Sequence, residues 1–375
     1  MAQIVGKTMD LYDIEMYMAD LVTAAEHTID IALLNGKKVM ITGASGTIGS
    51  FIVDMLMEYN DVKDGNIGVV ACGRSPERLK TRFSKWSESK KLEFARLDVL
   101  DEDLTELYPG NIDYCIHAAG NAYPSAFVGK FEDTVKGNIL GTDALMKFAA
   151  KHGCSRFVYV SSGEVYSVSD EDKMRLELIF KEYSASFKDY CREVLKLVSE
   201  KGPRSSYPIS KWATEKMCLE NRLGLCCNVV RPCHTFGPGI TGNDDRAHVQ
   251  FALKAAKGET IILNSAGTQL RSYNYVADAS SAIISVMTCS KAGTCMDICS
   301  PDNVITIRAL AELMGKAAGV SVVVKEPDER QKSLLSPINK QVLDSSALSE
   351  LGWKKAFDLE RGTEHFVKIV EGIYS

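Results

Sequence analysis

A glycine-rich turn, Gly43-Ala44-Ser45-Gly46-Thr47-Ile48-Gly49, follows directly on the apolar run Lys38-Val39-Met40-Ile41-Thr42 and opens a segment with helical spacing. In the spacing G-x-x-G-x-x-G, one glycine allows a tight turn, the next lets a pyrophosphate approach the backbone, and the last lets helix and strand pack closely. The start of the following helix offers free N–H groups and a partial positive charge to an anion. We therefore interpret this glycine turn as a dinucleotide-phosphate site with contacts at Gly43, Ser45, Gly46, Thr47, Ile48 and Gly49.

Strand-like and helical runs alternate along the chain from this turn onward. The predicted strands are 39–42, 67–71, 92–97, 112–117, 157–161 and 227–231, with helical stretches between them. Such alternation with mostly apolar strands predicts a parallel sheet that is covered by helices on both faces, with right-handed crossovers. We expect an α/β protein built on a doubly wound sheet of the dinucleotide-binding kind.

The chain divides into three parts by its pattern. Residues 1–36 form a helical leader, because apolar residues recur there at helical spacing with acids between them. Residues 37–232 form the dinucleotide-binding domain, with a charged helical insertion at 168–201. Residues 233–375 form mainly a smaller α/β lobe that faces the substrate, from which 272–295 return to the first domain. The leader docks on its own domain, covers a partner or pairs with another subunit, and the sequence leaves these alternatives open.

Composition excludes several classes of protein. Among 375 residues, 44 Lys and Arg stand against 49 Asp and Glu, so the formal net charge is −5. A nucleic-acid binder needs a concentrated cationic face, which this balance does not favour. The 25% of charged and 8% of aromatic residues are ordinary for a globular protein and argue against wholesale disorder. The 11 cysteines are scattered without a paired C-x2-C spacing, so we predict reduced thiols and no metal site.

The N-terminus and the hydropathy pattern predict a cytoplasmic protein. Residues 1–21 lack the basic start and the continuous apolar run of a signal peptide. No apolar stretch reaches about 18 residues, so neither a membrane-spanning helix nor a membrane partner is expected. Reduced cysteines point to the same reducing compartment.

A tyrosine and a lysine four residues apart, Tyr207 and Lys211, fall on one face of a predicted helix. A free phenol has a pKa of about 10, so a tyrosine that acts as a base near neutral pH needs a pKa about three units lower. A neighbouring ammonium and an oxidised nicotinamide ring both favour the phenolate. Because the pair follows the glycine turn and a strand that ends in Ser161-Ser162, we interpret it as a catalytic acid–base pair.

The end of the second predicted strand leaves the type of cofactor open. A site for NAD usually places an acid there, on the ribose hydroxyls of the adenosine. The run in this sequence is Val70-Ala71-Cys72-Gly73-Arg74-Ser75, without an acid. Arg74 either holds a 2′-phosphate, as in NADP, or covers the adenine face. Asp98, after the third strand, either accepts a hydrogen bond from the adenine amino group or caps its own loop.

The sequence resembles the extended short-chain dehydrogenase/reductases that modify nucleotide sugars. The matching pieces occur in the family's order at residues 43–49, 98–99, 117–119, 138, 141–142, 161–166, 207–211, 231–232, 236–238 and 269–273. The resemblance implies a Rossmann-type fold, a nucleotide-sugar substrate and tightly bound NAD, with NADP as the alternative. It also implies a homodimer through the helices 131–152 and 206–223. The cofactor contacts that it adds are Val99, Ala118, Ala119 and Gly120.

The two positions before Val165-Tyr166 separate reactions within this family. Members that resemble 4,6-dehydratases carry Asp-Glu there, and this sequence has Gly163-Glu164. Members that resemble UDP-glucuronate decarboxylases keep the Glu, have Ser or Thr at position 162 and do not need the Asp. The simple 4-epimerases usually lack a carboxylate at position 164. The resemblance therefore implies a decarboxylase of a nucleotide-sugar acid, with a 4,6-dehydratase or an epimerase as alternatives.

The resemblance also implies a role for each catalytic residue. Tyr207 removes the proton of the sugar 4-hydroxyl while hydride leaves C4, and Ser162 hydrogen-bonds the same oxygen. Lys211 holds the cofactor ribose and the charge of the phenol. Glu164 orients the pyranose or handles a proton, and Arg271 binds the diphosphate or the sugar carboxylate.

Two further residues are candidate substrate contacts. Arg246 either clamps a phosphate or is a surface charge, and His234 stands where the family usually has Asn near the substrate diphosphate. The rival from another class is a non-catalytic dinucleotide sensor or scaffold on the same fold. A carbonyl reductase that releases its cofactor in each cycle is a rival among enzymes. The intact Tyr207 and Lys211 favour an enzyme.

Overall fold

The computed structural model describes residues 9–101, 103–221, 223–240, 244–326 and 338–374. Its main sheet is parallel. Within these residues the sheet has seven strands, and each runs parallel to its neighbours. Numbered in chain order and given from one edge to the other, they are β10 (Cys295–Ile298), β6 (Cys226–Pro232), β5 (Arg156–Val160), β4 (Tyr114–His117), β1 (Lys38–Thr42), β2 (Gly68–Gly73) and β3 (Leu92–Arg96). The prediction of a doubly wound parallel sheet is confirmed, because the strand order reverses between β1 and β4.

Apolar side chains alternate between the two faces of this sheet, and each face has its own core. Val39 and Ile41 of β1 belong to one core, and Met40 belongs to the other. Because both faces are buried, the strands are apolar at most positions.

The α-helices of the described residues are α1 (Glu15–Glu26), α2 (Thr47–Val62), α3 (Pro76–Arg82), α4 (Pro124–Gly129), α5 (Phe131–Lys136), α6 (Thr142–Lys151), α7 (Asp170–Tyr183), α8 (Phe187–Lys201), α9 (Ser206–Leu219), α10 (Ala247–Ala256), α11 (Val276–Cys289), α12 (Ile307–Ala318), α13 (Ser346–Glu350) and α14 (Leu359–Tyr374). None of these helices combines the length and the apolar character needed to cross a bilayer.

A smaller lobe follows β6. Its strands in the described residues are β7 (His234–Phe236), β8 (Ile261–Leu263), β9 (Leu270–Tyr275), β11 (Val304–Thr306), β12 (Val322–Val324) and β13 (Lys340–Gln341). β9 pairs with β7, β11 and β13, whereas β8 and β12 pair with each other. α11 packs on α2, and β10 pairs with β6, so both belong to the main domain. The chain therefore leaves the main domain after β6 and returns to it at α11.

The N-terminal leader packs against its own chain. α1 lies against α2 and α11, and Tyr17 is buried in this contact. The hydroxyls of Tyr12 and Tyr17 both donate to the carboxylate of Asp54, which also accepts from the Arg82 guanidinium at 2.6 Å. Of the three alternatives that the sequence left open, the structure shows docking on the chain's own domain, and residues 1–8 lie outside the described residues.

The insertion at 168–201 forms the helical hairpin α7–α8, which packs on α9 and α5 of the same chain. The hydroxyl of Tyr190 on α8 donates to the carbonyl of Ala213 on α9 at 3.2 Å. Eleven of the 14 residues of α9 are buried. We expected the helix 206–223 to present a dimer face. Over Ser206–Leu219 this expectation is wrong, because other elements of the same chain already cover α9. The homodimer itself stays a prediction, as does the cytoplasmic location.

We predict that Asp54→Ala lowers the free energy of unfolding by about 3 kcal/mol, because it leaves a largely buried guanidinium and the buried Tyr17 hydroxyl without their carboxylate partner. The Tyr12 hydroxyl keeps the Arg82 carbonyl as an acceptor, at 3.0 Å. Glu26→Ala is the matched control. It removes the exposed ion pair between α1 and Lys63, at 3.1 Å, and is expected to cost less than about 1 kcal/mol. Urea unfolding followed by circular dichroism measures both changes. Equal losses in the two variants would contradict the role given to the Asp54 network.

Candidate active site

One continuous cavity of about 1990 Å³ opens at the carboxyl ends of the sheet strands, and the small lobe forms its opposite wall. The glycine turn after β1 and the segment after β4 line it, as expected at the point where the strand order reverses. The volume is above the range of about 300–1,000 Å³ typical of a site for one small ligand. Besides the glycine-turn residues, the predicted site residues that line it are Arg74, Asp98, Val99, Ala118, Ala119, Gly120, Ser162, Glu164, Tyr207, Lys211, His234, Arg246 and Arg271.

The glycine turn is packed too tightly for side chains at two of its positions. Gly43 has a φ of +67°, and a Cβ there would lie 2.7 Å from the backbone of Ala118. A Cβ on Gly49 would lie 2.3 Å from the carbonyl oxygen of Gly43. α2 begins at Thr47 beside this cradle, and the N–H groups of its first turn suit an anion. The turn therefore fits a pyrophosphate, and residues 43–49 would hold that part of a nicotinamide dinucleotide.

The carboxyl end of β2 lies beside the glycine turn. The Ala44 N–H donates to the carbonyl of Cys72 at 3.2 Å, and Arg74 lines the cavity two residues further on. Asp98, after β3, accepts the Leu100 N–H at 3.1 Å with one carboxylate oxygen. This bond is the loop cap that the sequence offered as one reading of Asp98. The other oxygen makes no hydrogen bond within the described residues.

Tyr207 and Lys211 lie on the buried side of α9, at the end of β5. The Lys211 Nζ donates to the carbonyl of Val160 at 2.8 Å and lies 5.8 Å from the centre of the Tyr207 ring. The Tyr207 ring stacks on Phe127, with 5.2 Å between their centres. The hydroxyl oxygen of Ser162 accepts a backbone N–H at 3.2 Å, so its proton is left for another acceptor. The structure thus groups the phenol, the ammonium and the serine that the sequence predicted.

Burial, rather than the lysine, dominates the titration of this pair. Burial raises the pKa of Tyr207 to about 12, opposed by a hydrogen bond from Ser162 and by the charge of Arg246. Burial also lowers the pKa of Lys211 to about 8. The lowered tyrosine pKa expected from the sequence is therefore not produced by the protein's own groups. A phenolate near neutral pH needs a further cation beside the ring, and an oxidised nicotinamide is such a cation.

Glu164 lies near a cation that the sequence analysis did not single out. Burial raises the pKa of Glu164, and the positive charges of Arg204 and Arg271 oppose this effect. Arg204 is exposed, lines the cavity and forms no ion pair with any described residue. Its position three residues before Tyr207, in the turn that leads into α9, was the available signal. A guanidinium without an ion pair thus lies near Glu164 in the cavity.

Two arginines that the sequence predicted as substrate contacts already bind other groups of the protein. Arg246 forms a close ion pair with Asp244, at 2.5 Å, and donates to the Thr47 hydroxyl at 3.3 Å. Its charge is therefore largely balanced, and it joins the small lobe to the glycine turn. Arg271 donates to two backbone carbonyls, which fix its guanidinium at the cavity wall.

A C-terminal strand that the sequence analysis missed shapes the end of the cavity near His234. The Nε2 of His234 lies 2.9 Å from the amide oxygen of Gln341, whose amide nitrogen donates to the carbonyl of Gly163 at 2.8 Å. Burial lowers the pKa of His234 to about 4, so the ring is neutral and Nε2 carries the donated proton. A Cβ on Gly163 would lie 2.9 Å from the Cδ2 of Leu343. Only the pairing of β13 with β9 brings Gln341 and Leu343 here, and no local pattern marks them.

Comparison with known proteins shows the family of this chain. The sequence model of the NAD dependent epimerase/dehydratase family matches residues 39–299, which is more than half of the chain. The chain is 26% identical to UDP-glucuronic acid decarboxylase 1 of Xenopus tropicalis over 331 residues, covering 87% of this chain and 70% of that protein.

Two solved structures share the fold. The UDP-glucuronic acid 4-epimerase of Bacillus cereus, solved with UDP-glucuronic acid and NAD, has a TM-score of 0.67 and 19% identity, covering 89% of this chain and 98% of that chain. A double mutant of the dTDP-glucose 4,6-dehydratase of Streptomyces venezuelae, solved with NAD, has a TM-score of 0.67 and 20% identity, covering 88% of this chain and 96% of that chain. With the glycine turn, the Tyr207–Lys211 pair and the match over residues 39–299 together, this chain belongs to the NAD dependent epimerase/dehydratase family.

Proposed function

We propose that the protein is a nucleotide-sugar enzyme that oxidises its substrate transiently at C4 and removes carbon dioxide from a C5 carboxylate, as a UDP-glucuronate decarboxylase does. The observation that carries the proposal is the placement of Tyr207, Lys211 and Ser162 beside Glu164 and Arg204, in the cavity that contains the glycine turn. The likeness to a decarboxylase of UDP-glucuronic acid supports it.

The side chains supply acid–base chemistry at the sugar. Tyr207 takes the proton of the 4-hydroxyl, and Ser162 donates a hydrogen bond to the same oxygen. Lys211 offers its ammonium to the phenolate. A nicotinamide dinucleotide, when bound, supplies the acceptor for the C4 hydride and later its donor.

Oxidation at C4 turns a C5 carboxylate into a β-keto acid. The C5–C6 bond then breaks, carbon dioxide leaves, and the bonding electrons pass to the 4-ketone as an enolate. A proton must replace the lost carboxylate at C5. In this mechanism Glu164, whose pKa is raised by burial, donates that proton. Tyr207 returns its proton to the 4-oxygen when the ketone is reduced. Arg204 and Arg271 supply the positive charge that a sugar carboxylate needs.

The surroundings of Gly163 favour decarboxylation over dehydration. Loss of the 6-hydroxyl as water calls for an acid beside Glu164, at the position of Gly163 in this sequence. A side chain at Gly163 would meet Leu343, whose Cδ atoms lie 2.9 and 3.0 Å from the place of a Cβ. The space for that acid is thus taken by an apolar side chain.

A 4-epimerase that acts on the same substrate is the second candidate. The Bacillus cereus neighbour is a UDP-glucuronic acid 4-epimerase, and the cations near Glu164 would suit a sugar carboxylate in either enzyme. The two reactions differ in whether the 4-ketone is reduced before carbon dioxide is lost. A non-catalytic sensor is disfavoured, because the buried ammonium of Lys211 costs stability and such a protein has no use for it.

We predict that the purified protein converts UDP-glucuronate to a product lighter by one carbon dioxide, in a panel of UDP-, dTDP-, GDP- and CDP-sugars analysed by mass spectrometry. Tyr207→Phe is expected to lose at least about 100-fold in turnover, because it removes the acid–base group. Its affinity for the dinucleotide should stay within about threefold, since the phenol adds no contact to the phosphates. A product of unchanged mass indicates the epimerase, and an active Y207F enzyme would falsify the mechanism.

Arg204→Met is expected to lower kcat/KM for UDP-glucuronate by about 10- to 100-fold, because it removes one charge-assisted hydrogen bond to the carboxylate. Its affinity for UDP-glucose, which has no carboxylate, should stay within about twofold in calorimetry. Arg175→Met is the matched control, because Arg175 is partly exposed on α7 and pairs with Glu200 at 2.9 Å outside the cavity. Equal losses for the charged and the neutral sugar would refute the role given to Arg204.

Lys211→Met should change how stability depends on pH. Lys211 releases its proton near pH 8 in the folded protein, against an ordinary pKa of 10.5 in the unfolded chain. Between these values the unfolded state binds more protons, so the free energy of unfolding of the wild type rises with pH by up to about 3 kcal/mol. K211M should lack this rise in urea unfolding over pH values from about 7 to 10. Parallel curves for the two proteins would contradict the buried ammonium.

A further inference from the structure

Two arginines lie together at the adenosine end of the cavity. Arg74 follows β2, Arg78 lies on the first turns of α3, and both line the same cavity as the glycine turn. The hydrogen bond from the Ala44 N–H to the Cys72 carbonyl, at 3.2 Å, places the end of β2 directly beside that turn. A dinucleotide whose pyrophosphate rests on the glycine turn therefore brings its adenosine ribose to this end of the sheet.

The protein leaves the charges of these two arginines unbalanced. Within the described ranges, neither the Arg74 nor the Arg78 guanidinium takes part in an ion pair or a side-chain hydrogen bond. Four other arginines of the main domain and the cavity wall are each paired with a carboxylate, namely Arg82, Arg96, Arg231 and Arg246. Arg204, at the other end of the cavity, forms no ion pair with a described residue either. Arg74 and Arg78 are therefore free to pair with an anionic ligand at this end of the cavity.

The position that decides the ribose contact carries no acid. β2 ends at Gly73, where an enzyme specific for NAD usually presents a carboxylate to the two ribose hydroxyls. Asp98 is the acid that lines this end, and one of its oxygens already accepts the Leu100 N–H at 3.1 Å. Among the described residues that line this end of the cavity, two guanidiniums therefore stand against one carboxylate, since the exposed Glu77 on α3 does not line it.

We infer that Arg74 and Arg78 bind the 2′-phosphate of NADP, so that this family member prefers NADP over NAD. A ribose 2′-phosphate carries close to two negative charges near neutral pH, and guanidiniums bind such groups with paired, charge-assisted hydrogen bonds. NAD offers a neutral hydroxyl at the same place and leaves both cations without a partner. The inference rests on the proposed function, because it takes the cavity as a dinucleotide site.

Isothermal titration calorimetry of the full chain with NADP⁺ and with NAD⁺ tests this inference without a catalytic assay. The wild type is expected to bind NADP⁺ at least about tenfold more tightly. The double variant Arg74→Ala/Arg78→Ala should lose about 100-fold or more in affinity for NADP⁺, and less than about threefold for NAD⁺. Arg96→Ala is the matched control. Arg96 is an exposed arginine at the end of the neighbouring β3, pairs with Asp101 at 2.8 Å, and should affect neither dinucleotide.

The outcomes separate this inference from the proposed function. Tighter binding of NAD⁺ by the wild type, or an equal loss of both dinucleotides in the double variant, would overturn the phosphate site, and the equal loss would assign the arginines to the adenine face. Binding of neither dinucleotide would overturn the proposed function, and the inference would fall with it. Thermal unfolding of the variants shows whether a loss comes from misfolding, which is not expected for exposed side chains.

Discussion

The buried ammonium of Lys211 is the charge around which the centre of the molecule is arranged. Burial disfavours this charge, and three groups surround it: the Val160 carbonyl accepts from Nζ at 2.8 Å, and the rings of Tyr159 and Tyr207 lie 4.6 and 5.8 Å away. These contacts exist only while α9 is pressed against the end of β5. The hairpin α7–α8 covers α9 from the other side. This packing keeps the Lys211 ammonium buried, although its burial costs stability, and it also holds the Tyr207 phenol at the cavity.

The cations of the cavity fall into two kinds. Arg246 is balanced by Asp244, so it shapes the wall between the small lobe and the glycine turn. Arg74, Arg78 and Arg204 form no ion pair within the described residues, and they lie at the two ends of the cavity. Unbalanced charge in a cleft attracts ligands of the opposite sign. The same physical argument therefore supports both proposals, a phosphate site at Arg74 and Arg78 and a carboxylate site at Arg204, in a chain whose formal net charge is −5.

In the proposed function, the choice of decarboxylation over dehydration rests on a segment that is far in sequence from Tyr207 and Glu164. β13 pairs with β9 and brings Gln341 to the carbonyl of Gly163, while Leu343 fills the space beside it. The same amide sets which nitrogen of His234 carries a proton. Leu343 thus occupies the place that a side chain at position 163 would need, and Glu164 is the carboxylate that the proposed mechanism uses.

Local patterns in the sequence determined the doubly wound sheet, the glycine turn and the Tyr207–Lys211 pair, because strand alternation, a tight turn and helical spacing each involve neighbouring residues. These patterns also predicted the residues that line the cavity, since parallel strands end at one edge. Contacts between distant segments decided the docking of the leader on α2, the burial of α9 by its own hairpin, and the packing of Leu343 on Gly163. Which distant side chain fills a gap or balances a charge depends on how the elements pack, and only the tertiary structure contains that packing.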